Sequence, residues 1–302
     1  MDRRAFLETV AATVAVSPFA TSLSAAQSSV GEWGSPVFDL HFHLRPDPAR
    51  NLAHLDGTGV TKANLLTRGP VLEQVKALEA AAPKRFTWFN SYDVTKPDAE
   101  QVLTQAIKDG AQGFGEMKYH AAADGPEYAR AYALAADLKV PILIHFQEVD
   151  HVPNEGTWAT GFAKTFESVL KAYPRTTFIG HADAFWANVS ADYHNEAVYP
   201  AGPVKRGGVT DRWLADYPNL FGDMSAVSGN NAIARDPAFT PDFLQRHQDK
   251  LLFGSDCNDR QANGPQCLGA KIIAAVKRLA PDKRVERKIL YGNASKLLKI
   301  KV

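Results

Sequence analysis

The feature that most limits what this chain can fold into is a recurrence of short β-branched or aromatic runs separated by stretches of helical pattern. Strand-like runs occur at Val37–His43, Val60–Leu66, Phe86–Ser91, Gln112–Lys118, Pro141–Phe146, Thr176–His181, Asn219–Ala226 and Leu251–Asp256. Helical periodicity fills Pro70–Ala82, Pro97–Lys108, Pro126–Leu138, Thr160–Ala172, Pro241–Gln248 and Leu268–Leu279. Several of these open on a proline, whose missing N–H costs nothing in a first turn. Eight strand–helix units in 302 residues predict a single-domain α/β fold, a TIM-like (β/α)8 barrel. The competing open, doubly wound sheet would carry a phosphate-binding loop, and no G-x-G-x-x-G or P-loop follows any strand run. The longest interval between runs, Ala182 to Pro218, holds Pro200-Ala201-Gly202-Pro203 and Gly207-Gly208 and reads as an extended loop over the active-site end. Gly229-Asn230-Asn231 reads as a turn.

Charge narrows the partners. The chain carries 34 Lys and Arg against 33 Asp and Glu, a formal net charge of +1. That balance offers no electrostatic reason to bind nucleic acid or an anionic membrane, so the expected partner is a small-molecule substrate. A homo-oligomer is compatible with the same composition. Two cysteines, Cys257 and Cys267, exclude a disulfide framework and a four-thiolate zinc site. Pairing of the two in an oxidising compartment and burial as inert thiols both stay open.

The first residues have the order of an export signal: charged Asp2-Arg3-Arg4, an uncharged Ala/Val/Thr-rich stretch from Thr9 to about Leu23, then Ser24-Ala25-Ala26. Arg3-Arg4 followed by Phe6-Leu7 resembles a twin-arginine signal, with Asp2 and Glu8 where Ser or Thr and Lys usually stand. The expectation is a signal over 1–26, a barrel domain over 27–302, and a periplasmic destination by the twin-arginine route. The apolar stretch is too short, and too interrupted by Pro18, for a stable membrane span.

Histidines fall where barrel enzymes do chemistry. In Asp39-Leu40-His41-Phe42-His43, strand alternation places Asp39, His41 and His43 on one side, and two imidazoles at i, i+2 converge on one ion. His145 ends the fifth run, His181 the sixth, and Asp256 the eighth. All stand at carboxyl ends of strands. Any one of them has a dull reading, as a hydrogen-bonded core histidine or a helix-capping aspartate. Together, three or four imidazoles and a carboxylate suit a divalent ion, Zn2+ above all.

On these residues, from Phe38-Asp39-Leu40-His41-Phe42-His43 to Leu290-Tyr291-Gly292-Asn293-Ala294, the chain resembles the amidohydrolase superfamily, in its amidohydrolase-2 branch of metal-dependent hydrolases and decarboxylases. The resemblance implies a distorted (β/α)8 barrel holding one or two divalent ions. His41, His43 and His145 would be ligands, and Asp256 both a ligand and the acceptor of a proton from water. His181 would be a second-metal ligand or a polariser of the substrate. The fourth run leaves two readings: Glu116, Lys118 and His120 share a face, and either Glu116 or a carboxylated Lys118 would bridge two ions. With Glu116 as ligand, Lys118 suits a substrate anion, joined by Arg45 and Arg235. Trp158 and Trp186 are candidate pocket walls or core residues. Asp39 reads as an orienter of a ligand.

The expected activity is hydrolysis of a small ester, lactone or amide-type bond. Decarboxylation of an aromatic or unsaturated acid on the same ligands is the alternative. A non-catalytic periplasmic binding protein would lack ligands or the proton acceptor, and here those positions are filled.

Overall fold

A computed structural model of the chain describes residues 33–257 and 267–300. The expected signal over 1–26 and the start of the expected domain lie outside the described residues, as do 258–266. Eight parallel strands follow one another in sequence order: β1 (Phe38–His43), β2 (Lys62–Arg68), β3 (Phe86–Ser91), β4 (Phe114–Met117), β5 (Pro141–His145), β6 (Thr177–His181), β7 (Leu220–Asp223) and β8 (Leu251–Leu252). The ring closes through backbone hydrogen bonds, Leu40 N to Phe253 O at 2.9 Å and Asp256 N to His41 O at 2.8 Å. The fold is therefore the expected single-domain (β/α)8 barrel.

Helices alternate with the strands: α1 (Pro48–Thr58), α2 (Leu72–Ala81), α3 (Ala99–Lys108), α4 (Pro126–Leu138), α5 (Phe162–Ala172), α6 (Asp183–Ala187), α7 (Val209–Asp216), α8 (Ala226–Ala234), α9 (Thr240–Arg246) and α10 (Leu268–Leu279). After α11 (Lys283–Arg287), a π-helical turn (Lys288–Gly292) and α12 (Asn293–Leu297) complete the described chain. Helix α1 escapes a reading by periodicity because it buries polar Asn51, His54 and Thr58 as well as Leu55. Its limits follow local rules: the Asp47 carboxylate caps Ala49 N–H, Pro48 sits in the first turn, and Gly59 ends it in the left-handed region.

Two expectations are corrected here. The seventh strand stops at Asp223, and Gly229-Asn230-Asn231 lies within α8 rather than in a turn. A Cβ on Gly229 would meet Met224 O at 2.1 Å, so the glycine is there for close packing of the helix on the strand end. The long interval after β6 does run as a connection, and it folds α6 and α7 within it.

The barrel is built in layers. Inside, Phe38, Leu40, Leu66, Phe89, Leu143, Ile179 and Leu252 pack together with Ala294 and Leu298 of the C-terminal segment. Alternation then sets the next layer: Leu143 lies two residues below His145, and Ile179 two below His181. Outside, Phe114, Ile142, Ile144, Phe178 and Leu220 join the helices in the larger core. An apolar floor thus supports a polar rim at the carboxyl ends of the strands.

Candidate metal centre

Strand register brings the site together. His145 and His181 are direct neighbours in the β5–β6 ladder, and their ring centroids lie 5.3 Å apart. In β1 the pairing with β2 slips by one residue between Asp39 and Phe42. That slip breaks the expected alternation: Asp39 and His41 do not share a side. The Asp39 carboxylate faces the seam with the segment after β8, accepting from Ser255 N at 2.8 Å and His41 N at 3.1 Å. His41 and His43 turn toward each other, Nε2 to Nε2, at 3.3 Å.

Around that pair stand the expected acids. Asp256 Oδ1 lies 3.6 Å from His41 Nε2 and 3.3 Å from His43 Nε2, and Asp256 Oδ2 lies 3.8 Å from His181 Nε2. Glu116 reaches both halves of the cluster. Its Oε2 is 3.5 Å from His43 Nε2, its Oε1 contacts His145 Nδ1, and the same Oε1 is 3.6 Å from His181 Nε2. Three donor groups result, each with ligand atoms within 4.8 Å of one another: His41, His43 and Glu116; His41, His181 and Asp256; Glu116, His145 and His181. Lys118 does not join them. Its Nζ lies 5.1 Å over the Trp158 ring and 3.9 Å from Glu155 Oε1.

One residue that sequence reasoning missed is Asp223, at the end of β7. It is fully buried, and its Oδ2 accepts from His41 Nδ1 at 2.6 Å and lies 3.2 Å from His181 Nδ1. Ser225 adds its backbone N–H at 3.1 Å and its hydroxyl at 2.8 Å. Asp223 thereby fixes two rings with Nδ1 protonated and Nε2 free to face the cluster, the task assigned in the sequence to Asp39. No strand-end signal marked it, because the seventh run read from the sequence extends to Ala226 and only the structure ends the strand at Asp223. On the far side, Gln147 Oε1 holds His145 Nε2 at 3.0 Å, leaving Nδ1 toward the centre.

Electrostatics follow from burial and mutual contact. Burial opposes charge on His41, but Asp256 and Asp223 prevail and raise it to about 10. Burial also resists ionisation of Asp256 and Asp223, and the facing imidazoles, His41 foremost, hold both carboxyls below the usual range. Glu116 behaves alike, with His145 overcoming burial and holding it well below the ordinary glutamate value. His181 is lowered, by burial and by the neighbouring His41. Buried, ionised carboxylates beside convergent ring nitrogens form a donor set that a divalent cation satisfies. The residues present fit such an ion.

A cavity of about 460 Å³ opens on the cluster, lined by Lys118, His145, His151, His181, Tyr199 and Asp256, among others. His151 was not singled out in the sequence; the Asp183 carboxylate, 3.0 Å from its Nε2, raises its pKa above the ordinary histidine value. Arg45 flanks a neighbouring cavity with His43 and Cys257, donating to Cys257 O at 2.9 Å while its guanidinium covers Phe42. Two expected contacts are corrected. Arg235, at the end of α8, donates to Pro200 O at 3.0 Å and pins the long loop instead of lining the cavity. Trp186 is 1% exposed, packed on Phe185 and Phe243, and its indole N–H holds Asp223 O at 2.6 Å. Trp158 stacks on His120, whose ring is thereby drawn to the loop after β5.

The same architecture recurs in solved structures. A 2,6-dihydroxybenzoate decarboxylase from Rhizobium aligns with a TM-score of 0.54 at 15% identity, over 88% of this chain and 99% of that one. A zinc-bound amidohydrolase from Burkholderia multivorans aligns at 0.54 and 13%, over 88% and 100%. A dihydroorotase from Campylobacter jejuni aligns at 0.55 and 18%, over 88% and 84%. No curated protein matches the sequence. Residues 44–300 match the family described as amidohydrolase (Amidohydro_2), a span that begins one residue after His43, so it leaves out His41 and His43 and contains Glu116, His145, His181, Asp223 and Asp256. The chain belongs to the amidohydrolase family.

Proposed function

We propose that this protein is a metal-dependent hydrolase that adds water to an ester, lactone or amide-type bond of a small molecule. The observation that carries the reading is the placement of Asp256. Its side chain is 20% exposed, touches both His41 and His43, and lines the cavity, so it meets a substrate and the cluster at once.

His41, His43, Asp256, Glu116, His145 and His181 would hold one or two divalent ions, zinc being favoured by nitrogen and carboxylate donors and by the zinc in the Burkholderia amidohydrolase. When bound, such an ion supplies Lewis acidity, polarising a carbonyl and making water more acidic. Asp256 takes the proton from the attacking water and passes it to the leaving group. His181, its Nδ1 held by Asp223 and Ser225, turns an unprotonated Nε2 to the cluster, where it would serve as a ligand to the ion that polarises the substrate. Lys118 receives an anionic group of the substrate at the cavity wall.

Decarboxylation is the second reading, and Lys118 is what favours it, since a lysine in the cavity also suits a substrate carboxylate. Turnover in 18O-labelled water separates the two. The hydrolase reading expects label in the product, whereas release of carbon dioxide with no labelled product would overturn it. Export by the twin-arginine route belongs to the same proposal, and its support is the Arg3-Arg4 stretch with Ser24-Ala25-Ala26 behind it.

A further inference from the structure

Behind the cluster, on the side of the barrel seam, Cys257 and Cys267 meet with their Sγ atoms 2.8 Å apart. Both are buried, and Ala270 and Trp33 pack around them. His54 completes the group, its donor atom within 4.8 Å of both sulfurs. The His54 ring lies flat on Phe42, 4.3 Å between centroids, so its direction is set by packing.

Two chemistries suit a buried group of two thiols and an imidazole: a soft metal ion, or a bond between the sulfurs. Two thiolates on one tetrahedral zinc, each at roughly 2.3 Å, stand about 3.7 Å apart, so the pair would have to spread. Among the described residues no carboxylate joins this group: Asp39 accepts from Ser255 N and His41 N through Oδ1, and its Oδ2 lies 3.6 Å from His54 Nε2. A covalent bond asks for the smaller adjustment, closure to about 2.05 Å.

We propose that Cys257 and Cys267 are a modification site, forming an intramolecular disulfide that ties the segment carrying Asp256 to the start of α10. Cys257 follows Asp256 directly, and Cys267 is the N-cap of α10, whose Ile272, Ile273 and Val276 are anchored in the core. Cys257 also lines two cavities, one bordered by Asp256 and the other by His43, which gives an oxidant a path to it. The oxidant is a low-molecular-weight disulfide such as oxidised glutathione. The Cys257 thiolate attacks one of its sulfurs, breaking that S–S bond and releasing one thiol. The Cys267 sulfur then attacks Cys257 Sγ in the mixed disulfide and releases the second thiol. The two cysteines lose two electrons and two protons, and both leave with the two released thiols.

The test uses the full chain equilibrated with oxidised glutathione, then denatured in an alkylating reagent with or without prior reduction. The expected result is that neither cysteine is alkylated until reductant is added, with a peptide linking Cys257 to Cys267. Alkylation of both without reductant overturns the proposal. So does protection that a chelator alone removes, with release of a zinc ion, which would make His54, Cys257 and Cys267 a metal site. Independently, reduction of the wild-type protein lowers its melting temperature by about 5 °C. C267S lacks that redox dependence, and a wild-type melting temperature insensitive to reductant counts against the bond.

Discussion

The Asp223 carboxylate stands 2.6 Å from His41 Nδ1 and, through the same Oδ2 atom, 3.2 Å from His181 Nδ1, so one buried acid sets the direction of two neighbouring rings carried by β1 and β6. Asp223→Asn replaces an acceptor with a group that can also present a donor to those nitrogens. Metal affinity is expected to fall by roughly 10–100-fold. Chelator competition measures it, while far-ultraviolet circular dichroism checks that the barrel persists.

Asp256 differs from Asp223 in reaching the cavity. Asp256→Asn should lower kcat by about 10²–10⁴-fold while most of the metal is retained. His41→Ala has the contrasting outcome, a protein that loses metal in proportion to activity. Metal analysis of both variants beside their rates distinguishes a proton acceptor from a ligand.

Glu116 extends one oxygen toward His43 and the other toward His145 and His181. Glu116→Gln is expected to lower the metal content from a pair of ions to a single ion. Lys118→Ala should leave the ion count unchanged and raise KM for anionic substrates. Unchanged stoichiometry in the glutamine variant would remove Glu116 as a bridge.

A Cβ on Gly254 would stand 2.6 Å from Asp223 Oδ1 and 2.7 Å from His41 Cβ. Gly254→Ala therefore pushes the orienting carboxylate and the ligand apart. A loss of roughly 1–3 kcal/mol in stability is expected, together with weaker metal binding. Denaturant titration with and without added zinc reads both.

Away from the cluster, Asp211 accepts from His247 at 2.7 Å and from Arg246 Nη2 at 3.1 Å. Burial resists its ionisation, but His247 and Arg246 hold its pKa below the ordinary aspartate value. A carboxyl with a depressed folded-state pKa contributes stability above its unfolded value, near 4, and loses it as pH falls through the folded value. Asp211→Asn should cost about 2 kcal/mol at neutral pH. The gap from wild type should close as the pH drops below about 4, which melting curves across pH will show.

Much of the site was legible in the chain because strand ends are. His145 and His181 sit where a two-residue period ends, with apolar Leu143 and Ile179 two places earlier predicting that they face inward, while His41 and His43 are marked by their i, i+2 spacing. Asp223 went unassigned, since the seventh run reads on to Ala226 and a carboxylate inside a run, next to no recognised motif, carries no mark of its partner. His151 lies in a loop, where no period exists to place it.

The order of strands, the barrel they close and the residue types at its rim followed from the sequence alone, because alternation and helix periodicity are local. Tertiary structure decided the rest. A one-residue slip in β1 separated Asp39 from His41, which no pattern within a single strand could reveal, since register is set by the neighbouring strand. Helical register turned Trp186 into the core and Arg235 toward the long loop. The meeting of Asp223 with His41 spans 182 residues, and only closure of the barrel brings such positions within hydrogen-bonding distance.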